Sequence, residues 1–565
     1  MEGKSSFSAK RRETVLKAME QETPLDLLVI GGGITGAGIA LDAATRGMRV
    51  GVLEKNDFGS GTSSRSTKLI HGGLRYLKQG DVKLVQEVGR ERAILYKNAP
   101  HLVVPAPMLL PVYKGGTYGY LATSIGLYVY DWLAGVARKE RRKMLSRKQT
   151  MELEPLLKKD GLKGGGLYFE YRTDDARLTL DIMKTACQRG AKAVNYTEVT
   201  DFVYENGRAA GVTVHDRISG RHHEIRAKHI VNAAGPWADE IRSIDGSLKG
   251  KRLFLTKGVH LVVDSHRLPV HQAAYFDTPD GRMVFVIPRG HITYIGTTDT
   301  AYSASIDQPR MTQEDRDYLI RAVNAMFPAV KLTERDIRSH WAGLRPLIYE
   351  EGKGPSELSR KDEIFISDSQ LITIAGGKLT GFRKMAEKVV DLVAGRLQQS
   401  GGKAYPSCST DKITISGGER PEGVSYEDWK RQMIQDGIAA GVDGQTMQEW
   451  VDLYGSNALR IVKRLPESAR LNIPPQLQWL HAQLTYSVEE EMTVTPADFL
   501  RLRSGWSYFN LAKAEKYRNI VEKMMNDLLD LQPEQKEAQL AMLNQLFRHL
   551  HELPVNEQQL QSMTS

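Results

Sequence analysis

Cysteine is scarce in this chain, which contains only Cys187 and Cys408 among its 565 residues. The two lie far apart and form no CxxC pair, so the sequence predicts neither a disulfide framework nor a metal site. We interpret both as buried structural thiols of a protein that works in a reducing compartment, the cytoplasm.

A long uncharged apolar segment is also lacking. The nearest approach, residues 118–137, contains Asp131 and several glycines and tyrosines, whereas a membrane-spanning helix needs about 20 predominantly apolar residues. We interpret this segment as a mostly buried helix, and contact of its surface with a membrane stays open. The first residues are basic but contain no continuous apolar stretch, so no secretory signal is expected.

The composition is that of a folded protein. Hydrophobic residues make up 41% and charged residues 26% of the chain, and its length predicts two or three domains. The formal net charge is +9. A mild basic excess suits an anionic substrate, an anionic membrane surface or nucleic acid, and charge alone does not separate these from an ordinary basic surface.

A glycine-rich turn near the start of the chain has the pattern of a dinucleotide site. Residues 25–30 read LDLLVI, an apolar run with the length of a buried parallel strand. Gly31, Gly33 and Gly36 then give the spacing G-x-G-x-x-G, and small residues at helical spacing follow. The first glycine permits a tight turn, the second lets a pyrophosphate approach the backbone, and the third lets the helix pack on the sheet.

The second strand ends at an acidic residue. Residues 49–53 read RVGVL and are followed by Glu54, about 20 residues beyond the loop, where an acid accepts hydrogen bonds from the ribose hydroxyls. Strand, turn, helix and acid together predict a dinucleotide site, although the motif alone does not separate NAD from FAD.

The next segment favours FAD. Residues 57–76 read DFGSGTSSRSTKLIHGGLRY, where a simple NAD domain would have a short loop and another strand–helix unit. Small hydroxyl side chains can bond a pyrophosphate and the edge of a flavin, and paired glycines let the backbone lie close to a flat ring.

These segments resemble a known family. GGGITGAGIALDAATRG and GTSSRSTKLIHGGLRYL, with VNAAGPWAD, GLRPL and AGGKLTGFRKMAE further on, resemble the FAD-dependent glycerol-3-phosphate dehydrogenases, within the superfamily of D-amino-acid-oxidase-like flavoproteins. The resemblance covers residues 24–395 closely and the remainder loosely. It implies bound FAD, oxidation of sn-glycerol 3-phosphate to dihydroxyacetone phosphate by hydride transfer from C2 to flavin N5, and delivery of the electrons to a membrane quinone by a protein on the inner face of the cell membrane.

Two alternatives stay open. Related oxidases pass electrons to oxygen and form hydrogen peroxide, but they tend to carry an inserted segment that is not obvious here. A flavin-binding regulator without catalytic activity is the third hypothesis.

The predicted cofactor site draws on three distant stretches of the chain. Glycines also precede a helix expected from about Phe382, whose positive end can stabilise a reduced flavin. The predicted cofactor-binding residues are Gly31, Gly33, Thr35, Gly36, Glu54, Thr62, Ser63, Ser64, Ser66, Lys68, His71, Gly72, Gly73, Ala234, Gly235, Trp237, Gly376, Gly377, Lys378, Leu379 and Thr380.

The substrate carries a phosphate dianion, which a buried site must meet with fixed cations. The resemblance places Arg75, Arg345, Arg360 and Lys378 there, with Arg360 in the weakest local match, and a surface charge or salt bridge is the alternative for each. Tyr76 is expected to bond the substrate.

Removal of the substrate's hydroxyl proton requires a base, and a neutral histidine suits that task. His260, in KGVHLVV, is the predicted acceptor, and an ordinary core histidine is the alternative. His71 is expected on the flavin side. The predicted catalytic residues are His260, Arg345 and Lys378.

The three cofactor stretches predict an α/β fold in which a Rossmann-type FAD-binding domain is discontinuous. Its expected parts are residues 24–76, 171–251 and 341–396. Residues 77–170 and 252–340 are expected to form an α+β substrate domain with an antiparallel sheet.

The rest of the chain is predicted to be helical. In residues 405–550, apolar residues recur at three- and four-residue spacing, which indicates an α-helical cap domain, and residues 1–23 and 551–565 are interpreted as tails. No nucleic-acid-binding motif accompanies the basic residues, so no nucleic-acid partner is expected. A homodimer stays open.

Overall fold

The computed structural model describes residues 6–21, 24–71, 82–116, 119–133, 140–349, 362–552 and 554. The strands in these ranges are β1 (Leu27–Ile30), β2 (Val50–Leu53), β3 (Leu69–Ile70), β4 (Val104–Tyr113), β5 (Lys143–Ser146), β6 (Leu162–Arg172), β7 (Lys192–Val194), β8 (Thr197–Glu205), β9 (Arg208–Asp216), β10 (His222–Arg226), β11 (Ile230–Asn232), β12 (Leu253–Asp264), β13 (Ala273–Asp277), β14 (Met283–Arg289), β15 (Ile292–Gly296), β16 (Thr300–Ala301), β17 (Ile337–Ile348), β18 (Asp362–Ile366) and β19 (Ile372–Gly376).

The α-helices in the same ranges are α1 (Arg12–Gln21), α2 (Ile34–Thr45), α3 (Val82–Asn98), α4 (Tyr120–Leu133), α5 (Arg147–Leu153), α6 (Asp175–Gln188), α7 (Ala238–Ile244), α8 (Gln313–Met326), α9 (Phe382–Gln399), α10 (Tyr426–Ala439), α11 (Gly444–Tyr454), α12 (Ala458–Val462), α13 (Leu465–Arg470), α14 (Gln478–Glu490), α15 (Pro496–Asp498), α16 (Trp506–Phe509), α17 (Leu511–Leu528) and α18 (Pro533–His551). Of the helices described, none is long and apolar enough to cross a membrane.

A six-stranded sheet carries the glycine-rich turn. Its order is β18-β19-β11-β1-β2-β7, and its pairs are parallel except β18 with β19. Every residue of β1 and β2 is buried, because α2, α6 and α9 pack on one face and α1 with the three-stranded sheet β10-β9-β8 on the other. The predicted Rossmann-type α/β fold is confirmed.

Helix α1 corrects the predicted N-terminal tail. Leu16 and Met19 are fully buried, and Arg12 is nearly so. The Arg12 guanidinium donates to Asp216 Oδ1 at 2.7 Å and to the Asn195 carbonyl oxygen at 2.6 Å. An amphipathic helix anchored by such a pair is part of the fold, so the tail prediction is wrong over residues 6–21.

A second, ten-stranded sheet adjoins the first, with β17 in contact with β19. Its order is β16-β12-β15-β14-β13-β4-β6-β3, with β17 also paired to β12 and β5 to β6. The prediction of an antiparallel sheet is confirmed, although β13 pairs with β4 in parallel. Because β17 pairs with β12 along almost its whole length, residues 341–348 belong to this sheet and not to the FAD-binding sheet as predicted; β3 likewise pairs with β6. The rest of the domain division stays a prediction.

Helices α10 to α18 form the C-terminal region, as predicted. Buried ion pairs attach it to α6: Arg177 donates to both carboxylate oxygens of Glu491 at 2.7 Å, and Lys184 pairs with Glu490 at 3.1 Å. Arg503 pairs with Asp57, in the loop after β2. Buried charges are tolerated only when they are paired, so these contacts fix the C-terminal region against the FAD-binding side.

Candidate active site

A cleft of about 1230 Å³ opens at the carboxyl ends of the parallel strands. Its lining follows four neighbouring strands in turn: Gly31 after β1, Glu54 after β2, Ala233 after β11 and Gly376 at the end of β19. In α/β sheets, nucleotides bind at this edge. The distant stretches singled out in the sequence therefore meet because their strands are neighbours.

The glycine turn opens the start of α2 toward the cleft. Gly31 has φ +107°, and a Cβ there would lie 2.6 Å from the Ala233 carbonyl oxygen. A Cβ on Gly36 would lie 1.9 Å from the Gly31 carbonyl oxygen, so Gly36 serves packing as predicted. Gly33 is the N-cap and offers no capping side chain, although Ile34 N donates to Ser63 Oγ at 2.9 Å. The positive end of the helix dipole lies at the cleft.

Backbone amides hold Glu54 in the lining of the cleft. One carboxylate oxygen accepts from Gly32 N at 2.7 Å and the other from Asn56 N at 2.8 Å. Burial raises the pKa of Glu54, and these two hydrogen bonds oppose the increase. Each oxygen keeps a lone pair for a further donor.

A second cleft of about 980 Å³ adjoins the first. Thr62, Ser63, Gly377 and Lys378 line both. The second cleft carries two histidines, two arginines and a lysine among the described residues; its polar lining includes Arg65, Ser66, Thr67, His71, His260, Arg345, Lys378 and Thr380.

His260 lies on β12, between β15 and the end strand β17 of the large sheet, and lines the second cleft. It stands opposite Gly296 of β15 and Trp341 of β17, so the three residues share one face. A Cβ on Gly296 would lie 2.0 Å from His260 Cδ2, so only glycine leaves room for the ring. The imidazole stacks on Trp341 with centroids 4.8 Å apart, and its Nε2 is 3.0 Å from Thr67 Oγ1.

The surroundings of His260 keep it neutral. It is 1% exposed, and its Nδ1 has no hydrogen-bond partner within the described part of the chain. Burial, then the charges of Arg345 and Lys68, lower the pKa of His260 well below its usual 6.5. A neutral imidazole at pH 7 is the form that accepts a proton.

The two predicted cations that the structure describes also lie at this cleft. Arg345, on β17, donates to Asp299 Oδ1 at 3.1 Å and to Thr297 Oγ1 at 3.1 Å. Lys378 stands just before the 3₁₀ turn Leu379–Gly381 that leads into α9. Its place in both clefts puts a positive charge at their junction.

Most of the predicted cofactor residues line one or both clefts. The first is lined by Gly31, Gly33, Thr35, Glu54, Thr62, Ser63, Ala234, Gly235, Trp237, Gly376, Gly377, Lys378 and Leu379. Ser66, His71 and Thr380 line the second. Gly72, Gly73, Arg75, Tyr76 and Arg360 lie outside the described residues.

The structure does not place Lys68 and Ser64 in the lining of either cleft, where the sequence predicted them as cofactor-binding residues. Lys68 is 1% exposed and its ammonium donates to Asp175 Oδ1 at 2.6 Å and to the Ser64 carbonyl oxygen at 2.8 Å. Ser64 is fully buried, and neither residue lines either cleft. The motif placed them beside the cofactor, but their contacts are within the protein.

Sequence reasoning missed Arg65 and Trp341 as site residues. Arg65 lies in the segment GTSSRSTK of the predicted cofactor site, two positions before Thr67. Its position in this motif is the sequence signal that could have identified it. Trp341 had no local signal, because its role depends on pairing between β12 and β17.

Comparison with protein families agrees with this architecture. A family model described as FAD dependent oxidoreductase matches residues 26–373, and one described as C-terminal domain of alpha-glycerophosphate oxidase matches residues 408–536. The fold and the clefts are therefore those of an FAD-dependent oxidoreductase.

Individual relatives narrow the assignment. The aerobic glycerol-3-phosphate dehydrogenase of Bacillus subtilis (strain 168) is 53% identical over 545 residues, which cover 96% of this chain and 98% of that protein. The protein of the same name from Staphylococcus aureus (strain USA300) is 50% identical over the same shares. An X-ray structure of the glycerol-3-phosphate dehydrogenase from Bacillus halodurans complexed with FAD matches with a TM-score of 0.82 and 45% identity, covering 97% of this chain and 99% of that one. The chain belongs to the family of the aerobic glycerol-3-phosphate dehydrogenases.

Proposed function

We propose that this protein oxidises sn-glycerol 3-phosphate to dihydroxyacetone phosphate with FAD and delivers the electrons to a membrane quinone. The observation that carries the proposal is the second cleft. It places a buried neutral histidine and several cations directly beside a dinucleotide cleft. A phosphorylated secondary alcohol needs both features.

The residues of the first cleft fit FAD. The start of α2 would hold the pyrophosphate, Glu54 would accept hydrogen bonds from the ribose, and the turn Gly376–Leu379 would lie against the flavin. Gly31, at φ +107°, permits the tight turn that brings the start of α2 to this cleft. When bound, FAD supplies the acceptor for the hydride that leaves C2 of the substrate.

His260 takes the proton of the C2 hydroxyl in this proposal. Its ring is held on one side by Trp341 and at Nε2 by Thr67, so it presents a fixed orientation without rearrangement on binding. The buried, neutral state described above is what the reaction requires.

Arg345 and Lys378 hold the substrate's phosphate group. The contacts to Asp299 and Thr297 restrict the Arg345 guanidinium in position, and a charged hydrogen bond from a fixed donor loses little entropy on binding. Lys378 adds a second charge at the junction of the clefts. Arg75, Tyr76 and Arg360 remain predicted substrate contacts.

Anaerobic mixing of the FAD-loaded protein with sn-glycerol 3-phosphate tests the proposal. The absorbance of the oxidised flavin should fall rapidly after mixing with glycerol 3-phosphate. Glycerol at the same concentration should leave it largely unchanged. A flavin that stays oxidised with glycerol 3-phosphate would contradict the proposed activity and favour a non-catalytic regulator.

The quinone acceptor is supported by an exposed apolar surface on α4. Ile125 and Tyr128 are 57% and 62% exposed, and Tyr120 is 40% exposed. Arg142 lies with its guanidinium 5.4 Å from the centre of the Tyr128 ring, and Arg141 beside it is exposed. Apolar and aromatic side chains next to basic ones are the pattern of a protein that rests on an anionic bilayer.

Measurements of vesicle binding and of hydrogen peroxide formation distinguish a membrane quinone from oxygen as the electron acceptor. With anionic vesicles, Ile125→Glu should reduce co-sedimentation. Leu471→Glu, at an aliphatic residue with the same 57% exposure, should not. Formation of one hydrogen peroxide per substrate oxidised, by the purified protein in air, would instead support the oxidase alternative. The family model that matches the C-terminal region is described as a domain of alpha-glycerophosphate oxidase.

A further inference from the structure

Arg65 lies in the second cleft but belongs to neither predicted set of site residues. It lines the cleft with Arg345 and Lys378. Its position comes from the loop that follows β2, whereas Arg345 lies on β17 of the large sheet. An anion in this cleft would therefore meet cations from two separate segments of the chain.

The backbone around Arg65 is fixed residue by residue. A Cβ on Gly343 would lie 2.5 Å from the Arg65 carbonyl oxygen, so the loop rests directly on β17. Ser66 donates through N and Oγ to Asp175 at 3.0 and 2.7 Å, and its carbonyl oxygen accepts from Trp341 Nε1 at 3.1 Å. Such a segment holds its side chains in place before a ligand arrives.

The charge of Arg65 is poorly compensated inside the protein. No Asp or Glu of the described residues forms an ion pair with it, and the groups that favour its charged form are Tyr508 and Tyr302. Tyrosine is uncharged near neutral pH. Burial lowers the pKa of Arg65, and Arg501 adds to this by repulsion.

Arg501, from the C-terminal region, increases the need for an anion. Its Nε is buried and has no partner among the residues that the structure describes. The carboxylate of Asp498 interacts with the charge of Arg501, but its hydrogen bonds come from the Tyr196 hydroxyl, at 2.8 and 2.9 Å. Two neighbouring, partly buried guanidinium groups repel each other, and an oxyanion bound at Arg65 would offset part of this repulsion.

Arg65 and Arg345 also differ in their effect on the pKa of His260. Arg345 lowers the pKa of His260, whereas Arg65 is not among the charges that do so.

We propose that Arg65 binds the phosphate group of the substrate and makes the enzyme selective for phosphorylated over unphosphorylated glycerol. This rests on the proposed function. The side chain donates to phosphate oxygens from the loop side of the cleft, and Arg501 behind it strengthens the positive potential there.

Substrate discrimination tests the assignment. Arg65→Met should lower kcat/KM of anaerobic flavin reduction by glycerol 3-phosphate about 10- to 100-fold, the loss expected for one hydrogen bond between charged groups. The decrease in kcat/KM should come mainly from a higher KM for glycerol 3-phosphate, and kcat/KM for glycerol should not change. Arg65→Lys should recover part of the loss. Equal losses for both substrates, or none, would overturn the proposal.

Arg310→Met is the matched control. Arg310 and Arg65 both act on Tyr302, but Arg310 is paired with Glu552 at 3.1 Å and lines neither cleft. Removing this charge should change the ratio of the two kcat/KM values less than twofold.

Binding of inorganic phosphate to the oxidised FAD-loaded protein, measured by calorimetry, does not depend on turnover. Arg65→Met should weaken it about tenfold or more, and Arg310→Met should not. If glycerol 3-phosphate fails to reduce the wild-type flavin while phosphate binding still needs Arg65, the proposed function fails and the phosphate site stands. Unchanged phosphate binding in Arg65→Met would overturn the site itself.

Discussion

Replacing Gly33 by alanine should weaken FAD binding without unfolding the protein. Gly33 has φ −76° and ψ −174°, values that any residue adopts, so the backbone needs no glycine there. A Cβ would meet only the side chain of Ser63, with Oγ at 3.0 Å, and this hydroxyl, which also accepts from Ile34 N, needs to move by only a few tenths of an ångström. Glycine-to-alanine changes at compatible positions alter stability by at most about 1 kcal/mol.

The effect on FAD follows from where the methyl group lies. Gly33 lines the first cleft at the start of α2, where the pyrophosphate should approach the backbone. Losing one hydrogen bond to a charged group costs about 1.5 to 3 kcal/mol, which raises the dissociation constant of FAD about 10- to 150-fold. Titration of the apoprotein with FAD, followed by flavin fluorescence, measures it, and Gly33→Val should abolish retention.

Two other glycines serve as controls. At Gly36 the added Cβ would lie 1.9 Å from a backbone oxygen, so Gly36→Ala should destabilise the fold itself. In the middle of α9, Gly395 has nothing within 4 Å of its Cβ position, so Gly395→Ala should leave FAD binding unchanged and raise stability slightly. Wild-type FAD affinity in Gly33→Ala, or a loss of stability equal to that of Gly36→Ala, would refute the reasoning.

Three further predictions address the substrate, the C-terminal region and pH. Arg345→Ala should raise KM for glycerol 3-phosphate about 10- to 100-fold at unchanged FAD content; wild-type affinity would contradict its role as a phosphate ligand. Arg177→Met should lower the free energy of unfolding by about 3 to 5 kcal/mol, because the buried Glu491 loses its guanidinium partner, and an unchanged thermal midpoint would contradict this. Burial lowers the pKa of His340 to about 4; the unfolded chain therefore takes up a proton first as pH falls from about 6.5 toward 4, and stability is lost in that window and not above it. Between pH 7 and 5 the wild type should lose about 2 kcal/mol more than His340→Gln, measured by thermal unfolding, and equal losses would contradict the assignment.

The sequence predicted well those parts of the fold in which the signal is local. The strand, glycine turn and helix around Gly31 and the helix start at Phe382 are confirmed, because each is encoded within about ten neighbouring residues. The same locality explains the errors. Arg12 belongs to a helix that packs on distant strands and pairs with Asp216. Lys68 belongs to a cofactor motif but pairs with Asp175. Neither partner is visible from the residues around it.

The environment of His260 depends even more on distant parts of the chain. Its stacking partner Trp341 packs against Tyr508 of α16, with ring centroids 5.5 Å apart, and Ser339 Oγ donates to the Tyr508 carbonyl oxygen at 2.6 Å. The C-terminal region thus forms the back of the wall that carries the proposed base, and it contributes Arg501 beside Arg65. A helical domain that only covered the fold would not reach the site in this way.

The C-terminal region could act as a passive scaffold or as a part of the active site, and these two roles predict different results. If it is part of the site, Arg177→Met should slow flavin reduction at temperatures where the protein is still fully folded, because a loosened C-terminal region no longer supports Trp341. Tyr508→Ala should do the same with less effect on stability, and its KM for glycerol 3-phosphate should rise as Arg65 loses a neighbour. Full reduction rates in both variants below their unfolding temperatures would show that the contacts at Trp341 and Arg65 stabilise the fold alone.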